Sequence, residues 1–305
     1  MEEVSRRPSP FIIHPLQVQD LRTAGSAEEG LPYTGNSPPV NDPLYVKQAA
    51  YMEAIGVPGA WRRLKSTKLK RHRITVAHVD SGVKRDHPDL MGQIVEGYNV
   101  VKDDNDTDDV IGHGTLDAGV FGATINNSIG LSGVMDLVSI MPVSVEDKFT
   151  DVNMGKLREA DEAGLLMITT AGNTGSNTTI DQRFPCNLTQ QLSGMICVAA
   201  TEQINMRLSK GSSFANFVDI AAPGVKIVTT TNDAGYTRYK GTCPASAFIV
   251  GVAAMLYSLN PALSSSQVKK ILKDTAKKGL KDATGAATLP FGRVDADAAV
   301  AKLIP

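Results

Sequence analysis

Short apolar runs alternate with stretches of helical periodicity along most of the chain. A strand-length apolar run bounded by turn residues predicts a buried strand, whereas apolar residues spaced three and four apart predict an amphipathic helix. Their alternation predicts an α/β fold of three layers, in which a mostly parallel sheet carries helices on both faces. The strand-like runs are residues 74–79, 138–145, 165–171, 195–201 and 225–230, and the helical stretches are residues 112–123, 154–163 and 243–259.

The regions outside this alternation carry weaker signals. Residues 1–40 are rich in Pro, Gly, Ser and Glu and have no sustained period, so we predict a flexible extension followed by one domain over residues 41–305. Residues 46–55 predict a short helix, and the basic stretch 61–73 predicts a solvated connector. Near the end of the chain, Ser264 has the sequence context of a capping box and predicts the start of the last helix.

Composition limits the function classes that need to be considered. The 305 residues are 42% hydrophobic, which is enough to bury a sizeable core. A net charge of −1 gives no reason to expect nucleic acid or an anionic membrane as a partner. The sequence has no run of 18 apolar residues, so no membrane span is expected. Residues 1–10 lack the apolar stretch of a signal peptide, so no secretory signal is predicted and the compartment stays open.

The three cysteines are too few for a disulfide framework. Cys186 and Cys197 flank a loop that leads into an apolar strand, and a disulfide between them and two buried free thiols are equally compatible with the sequence. Cys243 has a different setting, because it stands in the motif G-T-C-P-A at the start of an apolar helical stretch. A thiol beside an imidazole at a helix start is typical of a nucleophile.

Three further polar residues stand where strands end or helices begin. Asp80 ends the first strand-like run, His113 follows 33 positions later in G-H-G-T at a helix start, and Asn173 follows the run 165–171. In such a pair the histidine can take a proton from a nucleophile while the aspartate orients its ring. Because sites in parallel sheets lie at the carboxyl ends of strands, Asp80 and Asn173 are expected near one another.

These motifs and their order resemble the subtilisin (subtilase) family of peptidases. The resembling blocks are H-V-D-S-G at 78–82, G-H-G-T at 112–115, T-T-A-G-N-T-G at 169–175, A-A-P-G-V at 221–225, G-T-C-P-A at 241–245 and F-G-R-V-D-A at 291–296. The resemblance implies an endopeptidase that cuts polypeptides by acyl transfer and acts as a monomer. It also implies the catalytic roles: Asp80 as orienter, His113 as base, Asn173 as oxyanion donor and Cys243 as nucleophile, where the family has serine. The family is often secreted.

The resemblance also implies a structural calcium ion. The segment I-N-N-S-I-G-L at 125–131 is similar to the family's calcium loop, Asp89 falls on its bidentate carboxylate, and Asp42 matches an N-terminal ligand of some members. Oxygen donors from separate segments are what calcium requires. The implied ligands are Asp42, Asp89, the Asn127 side chain and the carbonyl groups of Ile125, Ile129 and Leu131. By contrast, the acidic stretch 103–109 lacks the pattern of an EF-hand loop and is predicted to be a solvated surface near the cleft.

The chain departs from the family at several places. Cys243 replaces serine, Leu116 and Asp117 replace a usual His-Val pair, and Phe248 replaces a histidine. Only about ten residues separate the run 138–145 from the helical stretch at 154, so the fold is expected to lack one central βα unit of roughly 30 residues. Either the sheet has rearranged or the chain is a truncated gene product. The function therefore has two readings, an active peptidase or an inactive scaffold that binds peptides or a partner.

Overall fold

A computed structural model describes residues 11–15, 38–145 and 154–304, the first of these segments by its backbone alone. Eight parallel strands form one sheet in the order β10-β7-β6-β5-β1-β2-β4-β3. The remaining two strands, β8 and β9, form a separate antiparallel hairpin. The strands are β1 Phe11–Pro15, β2 Ile74–Asp80, β3 Tyr98–Asn99, β4 Val138–Ser144, β5 Leu166–Thr170, β6 Met195–Thr201, β7 Ile220–Pro223, β8 Ile227–Thr230, β9 Tyr236–Tyr239 and β10 Gly292–Arg293.

Helices cover both faces of the sheet, which confirms the predicted three-layer α/β fold. In β6 the side chains of Ile196 and Val198 belong to the larger core, whereas Cys197 and Ala199 belong to a smaller core on the opposite face. This division follows from the two-residue period of a strand. The helices are α1 Tyr45–Ala54, α2 Val57–Ser66, α3 His113–Gly122, α4 Met154–Glu162, the 3₁₀ helix Cys186–Gln190, α5 Thr242–Leu259, α6 Ser265–Thr275 and α7 Ala296–Ala301.

Helix α5 is the centre of the larger core and packs against α3 and strands of the sheet. Every residue of this helix is buried, as its nearly uniform apolar sequence predicts. Its 18 residues are long and apolar enough to cross a membrane by those two measures alone, and the whole window lies inside the fold. The next helix, α6, begins at the predicted capping box, in which Ser264 accepts from the Gln267 N–H and the Gln267 side chain accepts from the Ser264 N–H.

The strand β1 fills a central position of the sheet and corrects the expected flexible extension over residues 1–40. Its register aligns Ile13 with Ala77 of β2 on one side and with Met167 of β5 on the other. The remainder of the extension, residues 1–10 and 16–37, lies outside the described residues. Since β1 stands between β2 and β5, the sheet is continuous although the chain is short between β4 and α4. A rearranged sheet, one of the two explanations for the short connection, requires such a strand between β2 and β5.

The structure refines three other interpretations of the sequence, those of the basic stretch, of the run 225–230 and of the paired cysteines. The basic stretch 61–73 is only partly a connector, because α2 runs to Ser66 and Trp61 on that helix donates from Nε1 to the carbonyl oxygen of Val134. The run 225–230 is a strand, but its partner is the antiparallel β9. Cys186 and Cys197 are joined in a disulfide with their Cα atoms 5.2 Å apart, which decides the question that the sequence left open.

Candidate active site

Asp80 and His113 meet at the carboxyl end of β2. Asp80 is the last residue of this strand, and His113 is the first residue of α3. The His113 Nδ1 atom lies 2.9 Å from Asp80 Oδ1 and 3.0 Å from Oδ2, and Asp80 is fully buried. Burial opposes charge on both groups, but their mutual attraction outweighs it: the pKa of Asp80 is lowered and the pKa of His113 is raised well above its usual value. The geometry therefore holds an oriented imidazole beside a carboxylate that favours its protonated form.

Asp109 fixes the start of α3, a role that the sequence did not reveal. Its carboxylate accepts hydrogen bonds from the Gly112 N–H at 2.7 Å, the Thr115 N–H at 2.8 Å and the Thr115 hydroxyl at 2.6 Å, as well as from the Ser81 hydroxyl at 2.8 Å. Thr107 and Asp109 are buried, so the acidic stretch 103–109 is a solvated surface only in part. The prediction of a wholly solvated stretch was wrong because the last carboxylate has four donors to satisfy.

Gly114 allows the helix to approach β2 closely enough for the pair to form. A Cβ atom at this position would stand 2.0 Å from the carbonyl oxygen of Gly82 and 3.1 Å from the Asp80 side chain. Any larger residue would push α3, and His113 with it, away from Asp80. Gly114, the second glycine of G-H-G-T, is thus required because a side chain at this position would prevent the contact between His113 and Asp80.

Cys243 approaches His113 from the first turn of α5. It is 4% exposed, and its Sγ atom lies within 4.8 Å of a ring nitrogen of His113. After burial and Asp80, contact with Cys243 is a further influence on the pKa of His113, and it raises that pKa. The other two cysteines are paired with each other, so Cys243 is the free thiol of the chain.

Asn173 lies beside the start of α5, on the loop that follows β5. Its side-chain Oδ1 accepts from the Thr242 N–H at 2.8 Å and from the Thr242 hydroxyl at 3.0 Å. Because the amide oxygen is used in this way, the NH₂ group remains as the donor that a developing oxyanion next to Cys243 would need. All four predicted catalytic residues are therefore brought to one edge of the sheet.

Tyr239 and Asp117 complete the surroundings of His113. The Tyr239 hydroxyl is hydrogen-bonded to His113 Nε2 at 2.7 Å, and burial raises the pKa of Tyr239 so that it stays a neutral phenol. Asp117 lies one turn after His113 on α3, is 1% exposed, and has its pKa raised to about 8 by burial. The sequence drew attention to Asp117 only as a departure from a motif. It gave no signal for Tyr239, which is 126 positions away from His113.

Comparison with known proteins accords with this geometry. The profile of the subtilase family matches residues 71–157 and 145–292, which is well over half of the chain. The chain belongs to the subtilase family. Thermitase of Thermoactinomyces vulgaris is 31% identical over 263 residues, covering 78% of this chain and 91% of thermitase. Subtilisin E of Bacillus subtilis (strain 168) is 29% identical over 265 residues, covering 74% of this chain and 68% of subtilisin E.

Solved structures show the same fold. A protease from Pseudoalteromonas arctica superposes with a TM-score of 0.71 at 24% identity, covering 87% of this chain and all of that one. The relatives are serine proteases, and proteases of this family act on polypeptides. The two ranges of the profile match to this subtilase overlap at residues 145–157, the interval in which the sequence predicts that a βα unit is missing.

Three of the expected calcium ligands of this subtilase, Asp42, Asp89 and Asn127, lie at one loop. Asp42 accepts from the N–H groups of Asn126 and Asn127, both at 3.0 Å, while Asp89 accepts from Asn127 Nδ2 and the Leu131 N–H, both at 2.8 Å. Both carboxylates are buried, and burial, with the nearby charge of Asp42, raises the pKa of Asp89 to about 6. Two buried carboxylates at one loop favour a cation between them.

The loop 125–131 supplies further oxygen atoms. Within the described part of the chain, no N–H group donates to the carbonyl oxygens of Ile125, Ile129 or Leu131. The Asn127 Oδ1 atom accepts from the Ile129 N–H at 2.8 Å, so a cation there would share this oxygen with the loop backbone. A set of hard oxygen donors from three segments fits calcium.

Proposed function

We propose that this subtilase hydrolyses polypeptides by acyl transfer through Cys243. The observation that carries the proposal is the convergence of Cys243 and the Asp80–His113 pair beside Asn173. A raised His113 pKa suits this nucleophile, because an imidazolium stabilises a thiolate, whereas a serine hydroxyl needs a neutral imidazole to accept its proton. The substrate would be a polypeptide, and we expect the protein to act as a monomer without nucleic acid or membrane. Its peptidase domain would comprise residues 41–305 together with the strand β1.

The proposed reaction has two halves. The Cys243 sulfur, its proton held on His113 Nε2, bonds to the scissile carbonyl carbon, and Asn173 Nδ2 donates to the oxyanion. As the C–N bond breaks, His113 gives that proton to the leaving amine, which leaves a thioester on Cys243. Water then attacks the thioester while His113 takes one of its protons, and the C–S bond breaks to release the acid. Asp80 keeps its hydrogen bond to Nδ1 throughout, and Tyr239 must leave Nε2 before the first step.

The test compares hydrolysis of casein and of a peptidyl ester by the purified protein and by two variants. Cys243→Ala should lower ester turnover by at least about 10³-fold, because the nucleophile is lost. Asp108→Asn, a change at an exposed neighbour of the site, should leave turnover unchanged. Equal turnover by the protein and by Cys243→Ala, or no turnover of either substrate, would contradict the proposal.

The second candidate function is a catalytically inactive scaffold that binds peptides or a partner. The observation that favours it is the hydrogen bond between Tyr239 and His113 Nε2, the atom that would carry the proton of the nucleophile. Restoring serine separates the two functions. Robust peptidase activity in Cys243→Ser would mean that the scaffold is intact and would exclude the inactive reading, whereas an inert Cys243→Ser variant that binds peptide would support it.

We further propose that calcium stabilises the fold through Asp42, Asp89, Asn127 and the carbonyl groups of Ile125, Ile129 and Leu131. A ligand that binds only the folded state stabilises it by mass action, by about 2.7 kcal/mol when its free concentration is 100 times its dissociation constant. The melting temperature should therefore be higher with calcium than with a chelator. The difference should disappear in Asp89→Ala and persist in Asp86→Ala, a change of an exposed carboxylate in the same segment. An equal melting temperature in calcium and chelator would refute the site.

A further inference from the structure

Three side chains with metal-binding atoms converge beside Asp80 and Asn173. A ring nitrogen of His113, a carboxylate oxygen of Asp117 and the Sγ atom of Cys243 all lie within 4.8 Å of one another. All three residues are buried, with exposures of 8%, 1% and 4%. His113 and Asp117 are four residues apart on α3 and therefore share one face of this helix, and Cys243 comes from α5, which packs against α3.

These groups are the ligand types that zinc selects. Imidazole nitrogen, thiolate sulfur and carboxylate oxygen bind Zn²⁺ at roughly 2.0–2.3 Å, so in a tetrahedral site their atoms lie about 3.3–3.8 Å from one another. Atoms that lie within 4.8 Å of one another need to approach by at most about 1.5 Å to reach this separation. The charges also balance, because one divalent cation neutralises a thiolate and a carboxylate in a buried position.

The pairing of His113 with Asp80 supports the same interpretation. A metal-binding histidine usually donates its other ring N–H to a carboxylate, which fixes the ring orientation and the tautomer. Here Asp80 holds Nδ1 at 2.9 Å, and Nε2 faces Tyr239. Neither a thiol nor Asp117 belongs to the subtilase motifs, yet both departures lie at this one place.

We propose that His113, Asp117 and Cys243 bind a Zn²⁺ ion, with the fourth coordination position beside the Tyr239 hydroxyl. The ion would bind His113 Nε2, an Asp117 carboxylate oxygen and Cys243 Sγ, and the protons that these atoms carry would pass to solvent. Because the same atoms of His113 and Cys243 are needed for acyl transfer, zinc binding and peptide hydrolysis exclude each other. The metal site itself does not depend on turnover.

The experiment titrates the metal-free full chain with Co²⁺, in a buffer with excess calcium that saturates the loop 125–131. A tetrahedral Co²⁺ site with one thiolate ligand should give intense visible bands and a sulfur-to-cobalt charge-transfer band at one equivalent, and Zn²⁺ should displace both. Cys243→Ser should abolish the charge-transfer band. Asp117→Asn should weaken zinc binding by roughly tenfold or more, and the exposed-site control Asp108→Asn should not.

A measurement on the unaltered protein guards against variants that fail to fold. One equivalent of Zn²⁺ should slow the alkylation of Cys243 by iodoacetamide at least tenfold, and calcium should not. Absence of the charge-transfer band, equal zinc affinity in Asp117→Asn and the unaltered protein, or unchanged alkylation would overturn the metal site. Cobalt bands without ester turnover would support the metal site and count against the proposed peptidase. Ester turnover that zinc leaves unchanged would count against the metal site and support the peptidase.

Discussion

The imidazole of His113 is held at both nitrogen atoms, by Asp80 at Nδ1 and by Tyr239 at Nε2. A hydrogen bond of this kind contributes about 1 kcal/mol, which corresponds to a factor of about five in an equilibrium constant. Tyr239→Phe should therefore increase the alkylation rate of Cys243, and any ester turnover, about fivefold. The matched control is Tyr98→Phe, which removes the hydroxyl of an exposed tyrosine. Equal rates in both variants would mean that Tyr239 does not restrain the site.

The free energy of unfolding should depend on pH through Asp89. Its pKa is raised from 3.8 to about 6 by burial, so the folded state binds this proton more tightly than the unfolded state. In chelator, the stability from this proton is therefore present below about pH 4 and is lost as the pH rises through about 6. Relative to Asp89→Asn, the free energy of unfolding should fall by at most about 3 kcal/mol between pH 4 and 7. Urea unfolding at several pH values measures it, and a constant difference would contradict the prediction.

At the scale of elements, the position of His113 depends on how α3 begins. Asp109 satisfies N–H groups of the first turn of α3 and also the Ser81 hydroxyl next to Asp80. Asp109→Ala would leave these buried donors without a partner, which should lower the free energy of unfolding by about 2–3 kcal/mol. Any turnover should fall as well, because α3 carries the imidazole. Asp108→Ala, at the exposed preceding position, should change neither quantity, and the same result for both variants would exclude this role.

The elements that sequence could predict are those whose signal is local. The apolar runs of β2, β4, β5 and β6 and the capping box of α6 depend on neighbouring residues, and the structure places them as expected. Of the hairpin, the sequence predicts β8 but not β9, because β9, from Tyr236 to Tyr239, is a half-exposed strand without a clear period. The contacts that shape the site, such as Tyr239 with His113 or Asp109 with Ser81, join distant parts of the chain and leave no local pattern.

At the scale of the whole molecule, β1 joins the two halves of the sheet. Its backbone pairs with β2 on one edge and with β5 on the other, so that β2 and β5 do not face each other with unpaired edges. The prediction of a flexible extension failed here because a five-residue strand inside a Pro- and Gly-rich segment has too little periodicity to stand out. The Asp80 and Asn173 ends of the site lie on opposite sides of this strand, since they follow β2 and β5.

Removing β1 should therefore destabilise the molecule as a unit. A variant lacking residues 1–16 loses the ladder hydrogen bonds on both edges of β1, each of which contributes about 1 kcal/mol. We expect a free energy of unfolding lower by several kcal/mol and faster amide exchange in β2 and β5, together with a tendency to associate through the newly open edges. A variant lacking only residues 1–9 retains β1 and should behave like the full chain. If both truncations had the same melting temperature and the same exchange in β2, β1 would not contribute to the stability of the sheet.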